Sequence, residues 1–238
     1  RQQMFLKLIS NLKVKNWILE KPICQSLNDL KNYKRFSKLS NIWVNNHRRY
    51  QPIYLALKKF LSEDSDKFNM KVFSKNLGLG CNFSHWIDLA GWLQNSRPRK
   101  IYSNDFIKWI PSKRKNFKEI LGGFKLKYDD QTFLEASSNA EIRKKIFIGE
   151  SSNNNFFCID ESKGSLFYKD KVFFYKKLYQ SEMTKKILDD LIKINGCSLP
   201  TLSESILGHE VFFKEIIYKF MKEDKKNLIS NNLKLQIT

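Results

Sequence analysis

The spacing of apolar residues changes character near residue 127, and that change governs what the chain is able to fold into. Downstream of it, Ile146-Phe147-Ile148, Phe156-Phe157-Cys158-Ile159, Leu166-Phe167-Tyr168 and Val172-Phe173-Phe174-Tyr175 are short apolar runs parted by polar turns, the pattern of strands. Glu161-Ser162-Lys163-Gly164 reads as a hairpin loop, with glycine where a positive φ is needed. Two helices follow. Glu182 to Ile194 is stopped by Asn195-Gly196, and a second runs from Thr201 to about Lys225, opened by a capping box of Thr201 and Glu204.

Upstream, the spacing is helical. Gln2 to Leu19 alternates apolar and basic residues, as a helix or an arm. Ser26 to Leu39 forms a basic amphipathic helix, with Leu27, Leu30 and Phe36 on one face. Pro52 opens a helix from Ile53 to Leu61, closed by the acidic turn at 63–66. Val72 to Leu77, the Gly78-Leu79-Gly80 break and Ser84 to Leu93 read as helix, turn, helix, with Ser84 as N-cap. Ser103 caps a short helix through Ile110, and Ser112 caps another that stops at Gly122-Gly123. The expected fold is therefore α+β: a mainly helical N-terminal part, residues 1–127, followed by residues 128–238, a small antiparallel sheet with two C-terminal helices.

Charge follows the same division. Residues 1–127 hold 26 Lys+Arg against 8 Asp+Glu, whereas residues 128–238 hold 17 against 16; all five tryptophans lie in the first part. Of the net charge of +19, all but one unit lies in the first part, which implies a polyanionic partner for that side. The densest stretch carries Arg97, Arg99, Lys100, Lys108, Lys113, Arg114, Lys115 and Lys118, interleaved with Tyr102 and Trp109. Lysine and arginine neutralise phosphates, and aromatic rings stack on unpaired bases. Lys31, Lys34, Arg35, Arg48 and Arg49 extend the candidate surface. The bland reading of such a cluster is a solvated face with Trp109 in the core.

Other chemistry finds less support. Cys81 and His85 have an i, i+4 spacing suited to zinc, but no second pair completes four ligands. Glu161-x-Lys163 matches part of a nuclease metal site, yet Gly164 makes the segment a turn. No glycine pattern extends into a phosphate or dinucleotide loop, so no catalytic residue, metal or cofactor is expected. Widely spaced cysteines fit free thiols in a reducing intracellular compartment, and no apolar run is long enough for membrane insertion.

Two local resemblances accompany this reading. Asn82-Phe83-Ser84-His85-Trp86-Ile87 resembles a phrase of KilA-N and antirepressor-type DNA-binding domains. A second helix that offers only His85 and Gln94 makes two packed core helices the better reading there. Residues 146–194 resemble SUKH-type domains, the α+β family of bacterial immunity proteins, through Ile148-Gly149, Phe156 to Asp160, Gly164 and Leu166 to Tyr168. The expected function is a non-enzymatic nucleic-acid-binding protein, with RNA preferred over DNA, such as a ribonucleoprotein subunit whose residues 128–238 meet protein neighbours. The SUKH resemblance implies the alternative, a module that binds an acidic protein.

Overall fold

Helix α1 (Gln2–Asn11) turns Phe5 inward against Trp17, Tyr33 and Phe36. Strand β1 (Trp17–Leu19) follows, then α2 (Leu27–Lys34), whose first turn is capped by the Ser26 hydroxyl accepting from the Asp29 N–H. Strand β2 (Ile42–Val44) returns parallel to β1, so this stretch is a strand–helix–strand unit. A 3-10 turn (His47–Tyr50) leads to α3 (Pro52–Asp64), with Pro52 in its first turn. These features belong to a computed structural model that describes residues 2–39, 41–102, 108–138, 141–223 and 237.

Strand β3 (Phe68–Phe73) buries Phe68, Met70 and Val72 and turns Asn69 and Lys71 outward. This corrects the helix expected over Val72–Leu77. Six residues sample too little of a 3.6-residue period, and the strand alternation starts four residues upstream. Helix α4 (Leu79–Gln94) is continuous, so Ser84 is a buried mid-helix residue and there is no helix-turn-helix. Its N-cap is Gly78, at φ 69°, a conformation that side chains with a Cβ rarely adopt. Residues all around α4 are buried, because the helix runs between the sheet and α6 (Leu202–Glu223).

Strand β4 (Pro98–Tyr102) comes next. Residues expected to form two short helices instead make an antiparallel hairpin, β5 (Lys108–Pro111) and β6 (Lys118–Leu121). Trp109 faces Ile120 across that hairpin, and Asn116 supplies a left-handed turn residue at φ 67°. The helix-like spacing came from two strands folded on each other. Ser103 lies outside the described residues, as does Lys225.

Strands β7 (Gly123–Tyr128), β8 (Phe133–Ser137), β9 (Ile146–Ser151), β10 (Phe156–Asp160), β11 (Ser165–Tyr168) and β12 (Lys171–Phe174) complete the strands before α5 (Gln180–Ile194). One eight-stranded sheet runs in the order β12-β11-β10-β9-β3-β8-β7-β4. Only β3–β8 pairs parallel within it. The expected small antiparallel sheet after a helical first part is thus corrected: the sheet is large and mixed, and it takes strands from both sides of residue 127. It also displaces the SUKH resemblance, since β9–β12 continue directly into β3.

The core lies between this sheet and helices α3, α4 and α6, with Phe68, Phe83, Trp86, Phe147, Phe157, Phe212 and Phe213 almost wholly enclosed. Each such ring contributes about 2–3 kcal/mol by leaving water. A satellite cluster of Trp43, Tyr50, Met183, Ile187, Leu191 and Leu199 docks α5. No helix among the described residues is long and apolar enough to cross a membrane.

Candidate active site

In open α/β sheets, ligands bind beyond the carboxyl ends of parallel strands, where the connecting loops diverge. Here those ends are the segments following β1 and β2. Lys21 follows β1, and its peptide bond to Pro22 is cis. Asn45, Asn46, His47 and Arg48 follow β2. Helix α4 brings Cys81, Asn82 and His85 to the same place.

The Lys21 ammonium donates to the Cys81 carbonyl at 3.1 Å and to Asn82 Oδ1 at 3.2 Å, and lies 3.6 Å from Cys81 Sγ. Burial is the main force pushing the Lys21 pKa down; Cys81 opposes it and Arg48 adds to it. The rings of His47 and His85 meet edge-to-face, 4.9 Å apart. Burial first, then the charges of Arg48 and Lys21, push His47 down to about 4, and the same causes act more strongly on His85. Both rings are therefore neutral at pH 7, and the Nδ1 atom of each is buried without a hydrogen-bond partner. A buried, unsatisfied ring nitrogen costs about 1–3 kcal/mol unless a ligand meets it. The ensemble is a lysine with a lowered pKa beside two neutral imidazoles, which suits proton exchange with a hydroxyl or carbonyl group.

Arg48 anchors the site from behind. Its guanidinium lies 4.1 Å over the Trp86 ring and its Nε donates to Glu161 Oε1 at 3.0 Å, while the Tyr54 hydroxyl donates to the same oxygen at 2.7 Å. Burial would raise the Glu161 carboxyl, but Arg48 and Tyr54 together outweigh it and hold the pKa at about 2. A cavity of about 150 Å³ opens beside this pair, lined by His47, Arg48, Tyr54, Lys145, Glu161 and Tyr175 among others. Gly164, at φ 65°, turns the β10–β11 loop along its wall.

A larger cavity of about 440 Å³ lies between α4 and α6, lined by Asn46, Arg49, Ser84, Asp88 and His209 among others. Its charged core is already satisfied: Arg49 grips Asp88 through two hydrogen bonds of 3.0 and 2.6 Å. Burial lifts the Asp88 carboxyl to about 6, and the Arg49 contact keeps it ionised at neutral pH. We take the smaller cavity as the site, because His47, whose Nδ1 has no partner, and Lys145, whose ammonium meets no hydrogen bond or ion pair among the described residues, both line it.

The residues expected from sequence to bind phosphates are dispersed. Arg48 and Arg49 are buried in the ion pairs above, which corrects their assignment to a phosphate-binding surface. Lys31, Lys34 and Arg35 are exposed on or just after α2, with Lys34 paired to Glu210 at 2.8 Å. Arg97, Arg99, Lys100 and Tyr102 are exposed along β4 and the loop before it; Arg99 pairs with Asp129, and Lys100 lies 4.9 Å over the Tyr102 ring. Lys108, Lys113, Arg114, Lys115 and Lys118 are exposed along the β5–β6 hairpin. Glu161, weighed as a nuclease ligand, is the Arg48 counter-ion, and the described residues gather no metal-binding cluster.

Sequence reasoning missed Lys21, His47 and Lys145, and weighed His85 only as a zinc ligand or a base-reading residue. The available signal was positional: Glu20-Lys21-Pro22 and Asn46-His47-Arg48 each follow a three-residue apolar run, Trp17–Leu19 and Ile42–Val44. Recognising those runs as paired parallel strands would have drawn attention to the residues after them.

No family model and no curated protein sequence matches the chain. Solved structures do. The chain is similar to a dehydrogenase (MviM) from Clostridium difficile, with 15% identity, a TM-score of 0.61, and coverage of 92% of this chain and 75% of that one. A dehydrogenase from Chromobacterium violaceum gives 12% identity, a TM-score of 0.63, and coverage of 96% and 77%. Myo-inositol dehydrogenase from Lactobacillus casei, solved in complex with NAD(H) and myo-inositol, gives 14% identity, a TM-score of 0.60, and coverage of 93% and 72%. At these identities the likeness establishes the fold, which is that of dehydrogenases and not of SUKH-type domains. It overturns the expectation of a non-enzymatic RNA-associated protein with nucleic-acid and ribonucleoprotein partners, and the acidic-protein-binding alternative is unsupported as well.

Proposed function

We propose that the chain forms the substrate-binding, proton-exchanging side of an oxidoreductase site for a hydroxyl- or carbonyl-bearing small molecule of the polyol or sugar class. The observation that carries this reading is the convergence of Lys21 with the unpartnered ring nitrogens of His47 and His85 beyond the carboxyl ends of β1 and β2, in a chain folded like dehydrogenases. A substrate oxygen that accepted from Lys21 and met an imidazole would satisfy the buried nitrogen and have a proton donor and acceptor at hand.

The fold implies a nicotinamide dinucleotide, and the described residues do not fit its pyrophosphate. The turn after β1 is Glu20-Lys21-Pro22, without glycine. At the one glycine-bracketed helix start, that of α4, Glu119 Oε1 already accepts from the Gly80 N–H, so an anion of the protein's own fills that place. The role derived for this chain is therefore confined to substrate and proton.

The four cysteines are unpaired, which supports a reducing intracellular compartment. The test is NMR of the histidine ring protons during titration with a panel of polyols and sugars. A binder should shift the His47 and His85 signals, and Lys21→Met should weaken it about tenfold or more. A panel that moves neither signal, in a protein whose Lys21→Met variant behaves identically, would sink the reading.

A further inference from the structure

The cavity beside His47 has an unbalanced charge. Arg48 and Glu161 neutralise each other. Beyond them the lining holds Lys145, Lys176 and Lys177, with no second carboxylate. Lys176 reaches Glu182 at 3.5 Å. Lys145 is half-buried, and among the described residues no hydrogen bond or ion pair reaches its ammonium. Lys177 is likewise unpaired among the described residues. Burial first, then the charge of Arg48, act against the charged form of Lys145; Glu161 opposes them, Lys177 and Lys21 add to them, and the net direction is downward. A half-buried ammonium in that position gains most from a counter-ion.

These groups arrive from three separate parts of the chain. Arg48 comes from the turn after β2, Lys145 from the residue just before β9, and Lys176 and Lys177 from the segment after β12, which the Tyr175 N–H ties back to the Gly164 carbonyl at 2.8 Å. The cavity, about 150 Å³, has room for roughly five waters. That is space for one anionic group and a short carbon stem.

We propose that the substrate is anionic: it carries a carboxylate or a phosphate that Lys145 and Lys177 hold in this cavity, while its reacting carbon extends past His47, which lines the same cavity, toward His85 and Lys21. Sugar acids and phosphorylated polyols share this chemistry. The proposal rests on the function proposed above and specifies its substrate class.

Three probes of equal carbon count separate the possibilities by calorimetry: sorbitol, gluconate and sorbitol 6-phosphate. One or both anions should bind at least about tenfold more tightly than sorbitol, and the tighter of the two identifies the anionic group. Lys145→Met should remove that preference, weakening the favoured anion at least about tenfold more than sorbitol, while Lys145→Arg should restore it. Lys21→Met should weaken all three alike. If the anions bind no better than sorbitol, or Lys145→Met weakens all three equally, the anionic substrate is wrong and the polyol site stands. If none of the three binds and Lys21→Met changes nothing, both are wrong.

Discussion

At the scale of single residues, the site is built by withholding water from groups that want it. Arg48 and Glu161 are affordable only as a pair, because each is enclosed, with side-chain exposures of 11% and 15%. Glu161→Gln leaves Arg48 without its counter-charge, and removing one partner of a buried pair costs about 3–5 kcal/mol. Urea denaturation should show a loss near that size, against a much smaller one for Glu63→Gln on the exposed Lys59 pair. The histidines set the response to acid. His47 and His209 have folded pKa values of about 4, His85 is also depressed, and an unfolded histidine titrates near 6.5. Below pH 6.5 the unfolded chain therefore takes up protons that the folded chain refuses, so stability falls between about pH 6.5 and 4 by up to about 1.4 kcal/mol per pH unit for each histidine. Thermal melts across that window should show the decline. His47→Gln should flatten it, whereas a melting temperature independent of pH there would contradict the burial of these rings.

At the scale of elements, legibility followed length and locality. Strands β9 to β12 and helices α3, α5 and α6 could be read because each carries its pattern within its own residues and has a clear stop, such as Asn195 in the left-handed conformation after α5. The capping box of α6 was visible as Thr201 and Glu204, and the Thr201 N–H does donate to Glu204 at 2.7 Å. Strands β1, β2 and β3 were not legible. Two of them are only three residues long, and β3 is buried by partners that lie some sixty or more residues further along. The site depends on those strands, so it was hidden too. Lys21 and His85 look like a surface lysine and a core histidine until the strand–helix–strand unit brings them together. Helix α5 offers a test at this scale. It docks its apolar face through Met183, Ile187 and Leu191, with the Tyr50 hydroxyl donating to Asp190 at 2.6 Å, while Leu188, Ile192 and Ile194 stay exposed. Ile187→Ala should cost about 2–4 kcal/mol in the docking of this helix. Hydrogen exchange should quicken across residues 180–194 before it does in β3.

At the scale of the whole molecule, the division of charge at residue 127 does not correspond to a division of the sheet. Strand β7 spans that residue, and β3 is held between β8 and β9. Calorimetry should accordingly give one cooperative transition for the sheet, with fragments 1–127 and 128–238 each failing to show a folded core when made separately. Two well-separated transitions would show that the halves stand alone. The basic residues of the first part occupy exposed positions of α2, β4 and the β5–β6 hairpin, while its arginines nearest the site are consumed internally. Net charge spoke to surface composition, and folding had assigned its members to different tasks.

The position of β3 also imposes an order on how the protein comes into being. Its neighbours on both sides are made later: β8 ends at Ser137 and β9 at Ser151. During synthesis, Phe68, Met70 and Val72 emerge long before the strands that cover their edges. At about 5–20 residues per second, a gap of some eighty residues leaves that strand unpaired for several seconds. A central strand that waits this long is a target for holding chaperones and for mispairing with other chains. Pairing across such sequence distances is also slow in a refolding chain. The tie that makes the mature sheet cooperative thus forms long after its central strand is made.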